Sequence, residues 1–131
     1  MKNQDNNYEI LIGYAKSMLG YSFEELKRKY IRYPIHLTVY VENNKMEKGI
    51  EIRFDNQQGT ISCGFDQCDR CNIAYLFFDT QIEENDFIEY LKKSYNFDFR
   101  KNRWLLDNLY LKVRDVKDFF CFYVFQCYRT D

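Results

Sequence analysis

The chain has 131 residues, of which 46% are apolar and 19% aromatic, with one proline and five glycines. This composition excludes intrinsic disorder and low-complexity linkers, and it leaves one domain able to build a core without disulfides or metal. Net charge is −1, made up of +2 over residues 1–41, −7 over 42–91 and +4 over 92–131, so an acidic middle lies between basic flanks. That distribution bears on partners and not on fold. The polar opening Met-Lys-Asn-Gln-Asp-Asn-Asn has no apolar stretch behind it, so no signal peptide is expected. No apolar run approaches the length of a membrane-spanning helix. The expected location is the cytoplasm, where an odd set of five cysteines stays reduced.

Tyr8, Leu11, Ala15, Met18 and Leu19 recur at spacings of three and four, the buried stripe of a helix over residues 5–19. Gly20 suits the position after its end. Ser22 and Glu25 then form a capping box that opens a second helix, with Phe23, Leu26 and Tyr30 facing inward and Pro34 limiting its length. From Ile35 the period becomes two. Ile35, Leu37, Val39 and Val41 share one face of a strand, and His36, Thr38 and Tyr40 share the other. The polar segment 42–49 is expected to turn the chain into a second strand carrying Ile50, Ile52 and Phe54. A turn at Asn56–Gly59 leads to a third carrying Ile61, Cys63 and Phe65. Residues 73–78 are more uniformly apolar and suit a fourth strand, completing an antiparallel meander.

Thr80 or Asn85 caps a further helix with Phe87, Ile88, Leu91 and Tyr95 on one face. Residues 97–113 fit either three short strands or a helix over 104–111. Residues 119–128, with four Phe, two Tyr and one Val, suit a strand inside the sheet and buried on both faces. The expected architecture is therefore α+β over residues 1–131. It comprises two N-terminal helices, an antiparallel β-meander, one further helix, and a buried C-terminal strand completing the sheet.

Cys63, Cys68 and Cys71 have ligand spacing reminiscent of an iron–sulfur loop or half a zinc knuckle, because thiolates three residues apart can grip one metal from a tight turn. Neither pattern is complete. Cys121 and Cys127 stand about 20 Å apart if they share a strand, so at most one could join them. Cys63 also alternates with Ile61 and Phe65 as a core residue would. His36 is the lone histidine, with Glu51 or Asp55 as the carboxylates that a neighbouring strand could bring near. Two basic clusters, Lys27-Arg28-Lys29 with Arg32, and Arg100-Lys101 with Arg103 beside Trp104, lie near aromatics that could stack on bases. The isoelectric point near 5.9 disfavours nucleic acid as the main partner.

Asp66, Asp69, Glu83, Glu84, Asp86 and Glu89 are the candidate partner-binding residues, a surface that would attract a basic protein. No phosphate loop, nucleophile elbow, zinc-protease helix or dinucleotide fingerprint is present in the sequence. The sequence therefore leads to a small non-catalytic protein without cofactor that binds and inhibits a macromolecular partner, in the manner of immunity proteins or inhibitors of host defence. The alternatives are a zinc or iron–sulfur module at Cys63, Cys68 and Cys71, and a nucleic-acid-binding domain.

Overall fold

A computed structural model describes the backbone of residues 2–42, 44–107, 109–116 and 119–126, and side chains as far as Val113 apart from those of 2–4, 40, 42, 45 and 46. Helices α1 (Lys2–Met18) and α2 (Phe23–Lys29) come first, followed by strands β1 (Ile35–Glu42), β2 (Lys45–Phe54), β3 (Gly59–Phe65) and β4 (Cys71–Phe78). Helix α3 (Gln81–Ser94) then leads to β5 (Asn96–Asp98), β6 (Arg103–Leu106), β7 (Leu109–Val116) and β8 (Phe119–Gln126). The class is α+β. The eight strands among the described residues pair antiparallel in one sheet, ordered β1-β2-β3-β4-β8-β7-β6-β5. Two meanders are thus joined side by side where β8 meets β4.

Local chemistry accounts for the helix ends. Gly20 takes a φ of 95° after α1, in the region that favours glycine. The Ser22 hydroxyl accepts the Glu25 N–H at 3.2 Å, and the Glu25 carboxylate accepts the Ser22 N–H at 2.8 Å. Both halves of the expected capping box are therefore present, and the second holds the Glu25 carboxyl below the usual carboxylate range. At α3, Thr80 is the N-cap, accepting the Glu83 N–H at 3.2 Å, and Asn85 lies inside the helix.

The core lies on one face of the sheet. Tyr8, Leu11, Ile12, Ala15 and Met18 of α1 meet Ile50, Ile52, Phe54, Ile61, Cys63, Ala74 and Leu76, all at most 2% exposed. Phe23, Leu26 and Tyr30 face inward as expected, and Phe87 and Leu91 bring α3 against the same core. Alternation along β2 and β3 thus reports one buried and one wetter face, as period two demands.

Three segments differ from, or decide between, the sequence expectations. The first turn is much shorter than 42–49: Glu42 already pairs with Lys45, and Asn44 adopts a φ of 64° that asparagine tolerates well. Residues 97–113 contain β5, β6 and the start of β7, not a helix, because Phe97 pairs with Trp104 and Trp104 with Leu111 across successive strands. β4 begins at Cys71 and is buried on one face and half-buried on the other. β8 does sit inside the sheet, between β4 and β7. The expected burial of its side chains, and the position of Cys127, lie outside the described residues.

Candidate functional site

The six candidate carboxylates do not share one surface. Asp66 and Asp69 precede β4, while Glu83, Glu84, Asp86 and Glu89 follow it on α3. Eight residues of strand at roughly 3.3 Å each put more than about 20 Å between the two groups. Most of the carboxylates have local work. Asp66 accepts the N–H groups of Cys68 (2.9 Å) and Arg70 (3.1 Å), closing the β3–β4 turn. Asp69 accepts the Phe23 N–H at 3.5 Å and lies 3.6 Å from the Lys48 ammonium. Glu84 is buried, only 3% exposed. Asp86 accepts the Tyr8 hydroxyl at 2.9 Å, and Glu89 pairs with Lys92 at 3.3 Å. Glu83, Asp86 and Glu89 do come together around an open recess of about 760 Å³ at the start of α3, beside Tyr8 and Ile82.

The three cysteines separate likewise. Cys63 and Cys71 are buried and Cys68 is exposed. The Cys63 thiol lies 3.4 Å from the Met18 sulfur. The neighbouring Cys71 thiol and burial push the Cys63 thiol well above its ordinary pKa, which favours the neutral form over the thiolate a metal needs. Among the described residues no group of three metal-ligating side chains converges. His36 is exposed and stands directly across from Glu51, so the suspected cross-strand pairing exists in register. No hydrogen bond joins the two side chains among the described residues.

Two features escaped sequence reasoning. The first is the edge of the sheet at β1. The Arg53 N–H donates to the Pro34 carbonyl at 3.0 Å, and this sets the phase of the β1–β2 ladder. His36, Thr38 and Tyr40 direct their backbone groups to β2, while Ile35, Leu37, Val39 and Val41 direct theirs outward, where no strand follows among the described residues. The side chains of Leu37, Val39 and Val41 are 38%, 58% and 69% exposed, although they lie on the face that is buried further into the sheet. Helix α2 packs on β2, and the exposure of Leu37, Val39 and Val41 leaves this face of β1 open among the described residues.

The second feature is an aromatic recess of about 560 Å³ between the last turn of α3 and the β5–β6 hairpin. It is lined by Tyr95, Phe97, Phe99 and Trp104, together with Ile88 and Lys92. Phe97 packs edge-to-face on both Phe99 (5.0 Å between centroids) and Trp104 (4.8 Å). The hairpin turn is held by Asp98, which accepts the N–H groups of Arg100 (3.0 Å) and Lys101 (3.4 Å). Sequence carried a partial signal here, since Phe99 sits between Asp98 and two cations where a turn residue would normally be polar.

Comparison with protein families, with curated proteins and with solved structures gave no match. Among the described residues no helix is long and apolar enough to cross a membrane.

Proposed function

We propose that this chain acts by binding another protein, and that the partner adds an extended segment to the open edge of β1. The observation that carries this reading is the combination of outward backbone groups at Ile35, Leu37, Val39 and Val41 with the exposure of the last three side chains. Exposed edge strands are normally blunted by charge, proline or a bulge. From Ile35 to Val41 this one has no charged residue, no proline and an unbroken register with β2. An added strand would satisfy the N–H and C=O groups, and its alternate apolar side chains would cover Leu37, Val39 and Val41. Such capture withholds the partner's segment from its own sheet or target, which gives a non-catalytic protein a means of inhibition.

This reading moves the contact surface from the carboxylates to β1, because Asp66, Asp69 and Asp86 already serve the fold. The test uses tagged wild type and Val39→Lys to capture partners from the native host. Val39 is 58% exposed, so the lysine should leave the fold intact. A species retained by wild type, lost with Val39→Lys and slowing hydrogen exchange at Leu37, Val39 and Val41 supports the proposal. Capture indifferent to Val39→Lys overturns it.

A further inference from the structure

We propose that the aromatic recess beside β5 and β6 is a binding site for a nucleobase carrying a phosphate, as a free nucleotide or as one unit of a single strand. Four observations converge on this ligand chemistry. The recess, at about 560 Å³, has the size of a small-molecule site and is lined by flat aromatic side chains. Phe99 is 87% exposed, yet it packs edge-to-face with Phe97 beside the Asp98-capped turn. Trp104 is 6% exposed, and its Nε1–H is buried without an acceptor, an uncommon state for a buried indole. Finally, cations lie close by in the chain. Lys92, paired with Glu89, lines the recess, and the exposed Arg100 and Lys101 follow Phe99 directly in sequence and make no ion pair among the described residues.

Each feature supplies one part of recognition. Aromatic rings stack on any base, because every base has a π-face. The Trp104 indole lines the recess, and its N–H is a donor that no acceptor occupies. Arg100 and Lys101, next to Phe99 in the chain, supply charge that would complement a phosphate. A purely apolar ligand would leave the Arg100 and Lys101 charges and the indole N–H unused. The low overall isoelectric point does not oppose this, since the acidic excess lies in residues 42–91 and residues 92–131 carry +4. Screening confines each charge to roughly 8–10 Å, so the local sign governs.

The chain has one tryptophan, so its fluorescence reports on this recess directly. Wild-type protein is titrated with a 5′-mononucleotide, the matching nucleoside, and a short single-stranded oligonucleotide. Saturable quenching by the mononucleotide assigns the site to a free nucleotide. Quenching by the oligonucleotide alone assigns it to a strand, with affinity that falls as salt rises. In either case Phe99→Ala should weaken binding roughly tenfold or more, the scale of one lost stacking partner. Arg100→Gln with Lys101→Gln should flatten the salt dependence. Phe99 is so exposed that its removal should not unfold the chain, and circular dichroism of the variant checks this. Quenching by neither phosphate-bearing probe, equal binding of the nucleoside, or affinity unchanged by Phe99→Ala overturns the proposal.

Discussion

Arg53 grips Asp79 in a bidentate pair, Nη1 to Oδ1 at 2.6 Å and Nη2 to Oδ2 at 2.8 Å, across 26 residues of sequence. The pair ties the end of β2 to the chain between β4 and α3, and Arg53 Nε also reaches Asp55 at 2.9 Å. A lysine keeps the charge but loses the fork. Arg53→Lys should therefore cost about 1 kcal/mol, near the top of the range for partly exposed pairs, read as a lower urea midpoint at constant m-value. The hydrogen bonds from Arg53 hold the Asp79 carboxyl below its ordinary value of 3.8. Its contribution is present above that pH and is lost as pH falls through the lower folded value. Acid denaturation of Arg53→Lys should accordingly begin at higher pH than in wild type.

Tyr8 joins α1 to α3. Its one hydroxyl proton is shared between the Asp86 carboxylate at 2.9 Å and the Glu83 carbonyl at 3.2 Å, and its ring meets Phe87 edge-on at 5.2 Å. Tyr8→Phe should lose about 1 kcal/mol, the net value of a typical hydrogen bond. Tyr8→Ala should lose about 3–5 kcal/mol through the cavity it leaves. Equal losses for the two variants in chemical denaturation would show that the hydroxyl, not the ring, dominates.

Burial sorts the thiols of the β3–β4 region by reactivity. A short pulse of iodoacetamide on native protein, followed by peptide mapping, should modify Cys68 well before Cys63 or Cys71. Denaturant should abolish the difference. Early modification of Cys63 in native protein would contradict its place beside Met18.

Two tyrosines set the alkaline limit. Tyr14 is pushed up to about 12 chiefly by the Tyr33 hydroxyl, and Tyr90 is pushed up to about 12 chiefly by burial. A raised folded-state pKa means that the stabilisation is complete below the ordinary value of 10.0 and is lost as pH rises through about 12. Thermal midpoints should fall across that window, and Tyr14→Phe should reduce the fall. A pH-independent midpoint between these values would refute this assignment.

Local rules carried much of this fold. Ser22 with Glu25, Gly20 and Thr80 mark helix ends because capping chemistry involves only neighbours in sequence. The alternation in β1 told which residues share a face, but period two is silent on whether anything covers that face, and so the exposure of Val39 and Val41 could not be read from it. Trp104 to Leu111 was ambiguous because short apolar runs satisfy helix and strand alike; cross-strand pairing to Phe97 and Leu111 decides it. The acidic set looked contiguous because sequence proximity hides the length of β4. The recess at Phe99 and Trp104 depends on α3 being placed over a hairpin, a tertiary relation that no local pattern encodes.

The place of β8 between β4 and β7 also bears on how the molecule is made. Residues 119–126 follow every other described strand in the sequence, yet they form the seam that joins the two meanders. During synthesis β1–β4 and β5–β7 can each pair locally, but both present a raw flank until the seam strand leaves the ribosome. A nascent chain stalled before residue 119 would therefore have two additional sticky borders, at β4 and β7, and would be the species most in need of a chaperone.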